Sequence, residues 1–127
     1  HRAARLQQIN LERIASTPHN GGGRRDWPAD LRLNCHNEEL HGYTDVYGRM
    51  AWNDVAPTLT SKCCSLSNGR FGHPEQNRAI SFREAAALQT FPNDYVFFGN
   101  QQEIGKQIGN AVPVLLAQAL ADAIQNI

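Results

Sequence analysis

The sharpest pattern of apolar and polar positions lies between Arg78 and Pro92. Ser81 and Glu84 have the Ser-x-x-Glu spacing of a capping box, in which each side chain takes a free backbone donor of the other residue. Ala85, Leu88 and Gln89 continue at helical spacing, and Phe91-Pro92 predicts the stop, because the residue before a proline is pushed out of the α region. One short helix with a defined start is predicted. Arg78 and Arg83 sit around its first turn, where either could pair with a carboxylate or reach a phosphate.

A second pattern closes the chain. Val112, Leu115, Leu116, Ala119, Leu120, Ala123 and Ile124 form a broad apolar stripe on a last helix. Pro113 falls near its first turn, where the missing amide hydrogen costs nothing. Gly109-Asn110 separates this helix from a brief one over 101–107. Such a stripe needs a partner surface. Much of the chain before it is loop-rich, so part of the stripe is expected to pack on something outside these residues, as the lack of an initiator methionine at His1 also leads us to expect.

The remaining patterns are weaker. Ala3, Leu6, Ile9, Leu11 and Ile14 give a loosely helical start over 1–15, ended by Ser16-Thr17-Pro18. Leu31, Leu33 and Cys35 alternate with Arg32, Asn34 and His36, which predicts a short half-buried strand. Tyr43 to Trp52 and Ala56 to Thr60, joined at Asn53-Asp54, are rich in aromatic and β-branched residues and predict two more strands with a tight connection. Gly21-Gly22-Gly23 with Arg24-Arg25 is a loop, read either as arginines touching phosphates or as a solvated linker. It lacks the Gly-Lys-Ser/Thr ending of a nucleotide-binding loop.

Length and charge narrow the choices. A chain of 127 residues is one domain by size. Its twelve basic and twelve acidic residues cancel, which argues against a free-standing DNA-binding module. Local cations remain at Arg24, Arg25, Arg49, Lys62, Arg70, Arg78 and Arg83. Three cysteines make no disulfide framework, and with no signal segment they point to a reducing cytoplasm. No apolar run approaches the roughly 18 residues of a membrane span. Cys35, His36, His41, Cys63, Cys64 and His73 lack the pair spacing of a zinc site, so no metal is predicted and buried, apolar-like cysteines are the default.

Two blocks carry a further signal: Arg78-Ala79-Ile80-Ser81-Phe82-Arg83-Glu84-Ala85-Ala86-Ala87-Leu88-Gln89-Thr90-Phe91-Pro92 and Gln107-Ile108-Gly109-Asn110-Ala111-Val112-Pro113. In order and separation they resemble the late conserved blocks of the DNA (cytosine-5)-methyltransferases. Tyr47-Gly48-Arg49-Met50-x-Trp52 and Ala56-Pro57-Thr58-Leu59-Thr60 look like that family's target-recognition region.

The resemblance implies an α+β fold. Residues 1–92 would be a small, irregular target-recognition region with short antiparallel strands and an organising helix. Residues 93–127 would return to an α/β domain that binds S-adenosylmethionine and is missing from these residues. Arg49, Thr58, Leu59, Lys62, Ser67, Asn68 and Arg70 would face double-stranded DNA, with Thr58 and Leu59 near the target base pair. A salt-bridged strand arginine is the other reading of Arg49. Arg78, Ser81, Arg83 and Glu84 would be structural. Asn110, Ala111 and Val112 would line the S-adenosylmethionine pocket, Asn110 by a hydrogen bond to the methionine end of the cofactor.

The family's nucleophile is a cysteine that follows a proline. Here Cys35 follows Asn34, Cys63 follows Lys62 and Cys64 follows Cys63, so no catalytic residue is assigned. The expectation is the C-terminal portion of a restriction-modification type DNA methyltransferase, inactive alone and dependent on a catalytic portion in the same or another chain. The alternative is a non-catalytic DNA-binding remnant or truncated product, with a homo-oligomer hiding the last helix.

Overall fold

The computed structural model describes residues 3–36 and 44–126. Four α-helices are found: α1 (Gln8–Ala15), α2 (Phe82–Leu88), α3 (Gln101–Gly109) and α4 (Val114–Gln125). Single 3₁₀ turns occupy Arg24–Asp26, Ala29–Leu31, Asn34–His36 and Leu66–Asn68. His1, Arg2, His41, Gly42 and Tyr43, which figure in the sequence reading, lie outside the described residues.

Helix α2 starts where the capping box requires. Ser81 Oγ accepts from the Glu84 amide at 3.2 Å, and a Glu84 carboxylate oxygen accepts from the Ser81 amide at 2.7 Å. Its end is made by a different device from the proline. Phe91 N donates to Ala86 O and Thr90 N donates to Ala87 O, the paired bonds of a Schellman motif, with Thr90 in the left-handed region at φ 59°. A β-branched residue there costs on the order of 1–2 kcal/mol. Helix α3 has a second capping box, with Asn100 Oδ1 accepting from the Glu103 amide and Glu103 Oε2 from the Asn100 amide.

The short antiparallel strands of the expected α+β fold are not there: among the described residues no strand or sheet forms. A ladder needs consecutive pairs with one neighbour, whereas the segment from Tyr47 spreads its donors over three. Tyr47 N bonds Leu66 O, Arg49 N bonds Gly22 O, Met50 N bonds Gly72 O, and Trp52 N bonds the Asn20 side chain. Tyr47 also sits at φ 62°, which breaks an extended run. Isolated bridges pair Gly72 with Arg49 on one side and Ala79 on the other. The alternation from Leu31 to Cys35 comes from successive 3₁₀ turns, with Leu31 buried and Cys35 exposed.

The core therefore forms from side chains hung on loops. Met50, Leu59, Cys63, Cys64, Phe71 and Ile80 pack against Ala85 and Ala86 of α2 and Ile108 of α3, so a single cluster joins residues on both sides of Pro92. Helix α3 reaches this cluster by backbone contact. A Cβ on Gly109 would lie 2.1 Å from the Thr60 carbonyl carbon, and one on Gly105 would lie 2.7 Å from Ser61 O. Glycines four apart thus present a bare helix face to the 60–61 backbone.

One polar group ties the loops together. Arg49 is fully buried, and all five of its guanidinium hydrogens are used. Nε donates to Thr17 O (2.9 Å), Nη1 to His73 O (2.8 Å) and Gln76 O (2.7 Å), and Nη2 to Ile14 O (2.6 Å) and Asn77 Oδ1. Ile14 is the centre of a smaller cluster with Leu66 and Ala79. Beside it the Arg13 guanidinium lies 5.6 Å from the Trp27 ring and donates through Nε to Leu31 O.

Helix α4 is the exception, since none of its residues is buried. Leu115, Leu116, Leu120 and Ile124 are between 51 % and 69 % exposed. The stretch Gln101–Gln125 reaches a mean hydropathy of 1.2, but the break after α3 divides it into helices of 9 and 12 residues, each short of the roughly 20 that span a bilayer.

Arg49→Met is expected to lower stability by about 3 kcal/mol or more, because five acceptors lose their donors at once. Gly109→Ala is expected to lower it by about 1–3 kcal/mol through overpacking on Thr60. Urea unfolding measures both, and an unchanged midpoint for either would show that the contact is dispensable.

Candidate cofactor and DNA interface

Two of the predicted groups of site residues meet in space. An open cleft of about 370 Å³ is lined by Ala56, Pro57, Thr58 and Leu59, by Gly109, Ala111 and Pro113, and by Leu88 and Gln89 at the end of α2, while Asn110 and Val112 lie outside its lining. Thr58 is exposed at its edge, while Leu59 turns into the core. Asn110, the C-cap of α3, is exposed and its side chain makes no hydrogen bond among the described residues. Val112 beside it is 58 % exposed. An amide with free donors and acceptor next to bare apolar surface is a donor set able to hold a polar group at one end and an aliphatic one at the other.

The cleft wall depends on Gln89, whose role the helical spacing did not reveal. Its buried amide donates to Ile108 O and Ala111 O, both at 2.9 Å, and so fixes the turn that carries Asn110. The signal was present in the sequence only as a polar residue at the end of an apolar helix. The Asn100-x-x-Glu103 box that starts α3 was legible by spacing and was missed.

The residues expected at DNA divide by exposure. Lys62, Ser67 and Asn68 are exposed, and Asn68 Nδ2 donates to Ser65 Oγ (2.8 Å) and Ser67 Oγ (3.1 Å), which stiffens that turn. Arg70 is half-buried, 3.7 Å from an Asp54 carboxylate oxygen. Arg49 is a correction. Its guanidinium has no hydrogen left for a phosphate or base edge and no carboxylate partner among the described residues, because every hydrogen it could offer is taken by Ile14, Thr17, His73, Gln76 and Asn77, and burial pulls its pKa down. Leu59, also expected at the DNA face, has its side chain in the core at 7 % exposure.

Around α2 one arginine is ion-paired and another is held by a carbonyl and a ring. Arg78 grips Glu84 with two bonds of 2.7 Å, and Arg83 donates to Tyr95 O and lies 5.9 Å from the Phe97 ring. The bonds from Arg78, reinforced by those from Ser81, hold the Glu84 carboxyl at about 2. His73 Nδ1 accepts from the amides of Glu75 and Gln76, so its free proton sits on Nε2, 3.9 Å from Glu84. Burial, then the nearby Arg78, pulls the His73 pKa below its ordinary value. Cys63 and Cys64 lie together, sulfurs 3.9 Å apart, and the hydrogen bond with Cys63 together with burial pushes the Cys64 thiol up, which keeps it a neutral thiol.

Comparison with known proteins gives this geometry its class. The C-5 cytosine-specific DNA methylase family matches residues 4–126, and the chain belongs to that family. The Type II methylase M.HgiDII of Herpetosiphon aurantiacus is 53 % identical over 131 residues, covering 98 % of this chain and 36 % of that protein. The Type II methyltransferase M1.HphI of Haemophilus parahaemolyticus is 40 % identical, covering 98 % and 30 %. DNA (cytosine-5)-methyltransferase 1 of Mus musculus is 42 % identical over 88 residues, or 68 % of this chain and 5 % of that one. The chain thus spans about a third of the length of the bacterial relatives.

Acid should destabilise the fold in two stages. The His73 pKa is lowered by folding, so the unfolded chain takes up that proton first and stability declines as pH falls through 6.5. The Glu84 pKa is lowered from 4.5 to about 2, so its contribution is complete above pH 4.5 and is lost between there and 2. Discounted for the partial exposure of the pair, that second stage is about 1–2 kcal/mol. Urea midpoints from pH 7 to 3 measure it, and Glu84→Gln should flatten the decline below pH 4.5. An equal decline in that variant would remove Glu84 as its source.

Proposed function

We propose that this chain is the target-reading and cofactor-closing portion of a type II DNA cytosine-5 methyltransferase, which transfers a methyl group from S-adenosylmethionine to cytosine in a specific DNA sequence. The observation that supports the proposal is the cleft lined by both Thr58 and Ala111. A methyltransferase must bring base and methyl donor to one place, and a cleft lined by residues assigned to each serves that need.

Family membership and the Type II names of the bacterial relatives support the reaction class. In this assignment Asn110 hydrogen-bonds the methionine end of S-adenosylmethionine, Ala111 forms the wall, and Val112 packs against the aliphatic part. S-adenosylmethionine supplies the methyl group when bound. Thr58, Lys62, Ser67, Asn68 and Arg70 contact double-stranded DNA, the cations at phosphates and the small polar side chains at base edges or backbone. Residues 1–92 mainly read DNA and 93–127 complete the cofactor domain. The exposed stripe of α4 is the face that the catalytic portion covers, in an intracellular enzyme whose three cysteines stay free. That portion supplies the nucleophile, since no cysteine here follows a proline.

The test is a chimera in which this chain replaces the matching segment of M.HgiDII. It should methylate DNA, and Asn110→Ala should weaken S-adenosylmethionine binding about tenfold with DNA affinity nearly unchanged. Lys62→Ala should weaken DNA binding and reduce its salt dependence by about one phosphate. A chimera that folds and binds DNA without methyl transfer would favour a non-catalytic DNA-binding role instead.

A further inference from the structure

The C-terminal end of α2 does more than stop a helix. Gln89 is buried at 8 % exposure, and its side-chain amide donates one hydrogen to Ile108 O and the other to Ala111 O. These carbonyls flank Gly109-Asn110. The backbone of the same residue accepts from Val114 N at 3.1 Å, and Thr90 Oγ1 accepts from Leu115 N at 3.0 Å. Helix α4 has no side-chain cap of its own, since its N-cap is Pro113. The two residues just past the end of α2 therefore satisfy carbonyls at the end of α3 and amides at the start of α4.

Thr90 adds an independent observation. It holds a left-handed φ of 59°, unusual for a β-branched residue, and in that conformation its hydroxyl oxygen reaches Leu115 N. Strained backbone that makes a specific long-range contact marks a position the surrounding structure fixes.

We propose that Gln89 and Thr90 form a latch that sets the orientation of Asn110, Ala111 and Val112, and that Gln89 is a positioning residue for S-adenosylmethionine binding, acting through its bonds to the backbone on both sides of Asn110. The proposal rests on the assignment of Asn110 to Val112 to the cofactor pocket. The bonds run to the backbone on both sides of Asn110, so removing them frees the turn while the cofactor-facing side chains remain. The latch also ties the Asn110 turn to the segment that carries Thr58, because α2 packs on the core that holds Leu59.

The experiment uses the M.HgiDII chimera and four variants, with S-adenosylmethionine binding read by titration calorimetry and DNA binding by fluorescence anisotropy. Gln89→Leu keeps the bulk and removes both donors. It should raise the cofactor Kd and the KM for cofactor about tenfold, with DNA Kd and kcat at saturating cofactor within about threefold. Thr90→Val, which removes the acceptor oxygen, should weaken cofactor binding in the same direction, and Thr90→Ser, which keeps it, should restore binding. The Thr90 pair decides the matter if Gln89→Leu fails to fold. Cofactor affinity unchanged in Gln89→Leu and Thr90→Val, with Asn110→Ala weakened, overturns the latch and leaves the pocket assignment standing. Cofactor affinity unchanged in Asn110→Ala overturns the pocket assignment and the latch with it. Equal losses in cofactor and DNA binding would show a general loss of structure and also overturn the latch.

Discussion

The fold hangs on the buried guanidinium of Arg49. With no sheet among the described residues there is no repeating ladder to hold the loops in register, and that task falls on one side chain with five hydrogens in a rigid plane. Its acceptors lie at the end of α1 and in the turn before α2, two regions far apart in sequence that no strand pairing joins. The arrangement satisfies a buried charge by backbone dipoles with no carboxylate partner, which avoids desolvating a second ion. It also explains the crowding around Gly72, whose backbone passes against Gly48 and the Arg49 backbone with no room for a side chain.

From that hub, organisation passes to α2. Its first turn is locked by Ser81, Glu84 and Arg78, and its last by the left-handed Thr90. The seven residues between are enough to place Ala85 and Ala86 in the core and to deliver Gln89 and Thr90 to the junction of α3 and α4. A helix so short is marginal by itself and depends on caps and packing at both ends. The polar bonds at its ends therefore matter to position as much as to stability.

The functional consequence is a division of surfaces. Core and clamps hold Thr58 and Ala111 at one cleft, while the exposed turn of Ser67 and Asn68 and the bare face of α4 are surfaces of opposite character, one polar and one apolar. A helix with Leu115, Leu116, Leu120 and Ile124 open to solvent is costly unless covered, at roughly 25 cal/mol for each Å² of apolar surface left wet.

What could be read from the residues was what is local. The capping box of α2, the break at Gly109-Asn110, the helix after Pro113 and the family blocks are short patterns whose physics is complete within a few neighbours. The strands over 31–35 and 43–60 were misread because alternation and β-branched composition describe a half-buried backbone, and here such a backbone either coils in 3₁₀ turns or, from Tyr47 to Trp52, bonds three separate segments instead of one neighbour. Arg49 as a DNA contact and Gln89 as an ordinary helix residue failed for the same reason: a polar side chain shows its chemistry in the sequence but not its partners. Those partners, carbonyls and amides up to 35 residues away, are brought within bonding distance only by tertiary folding, and this alone decided which cation is a clamp and which amide holds the cleft.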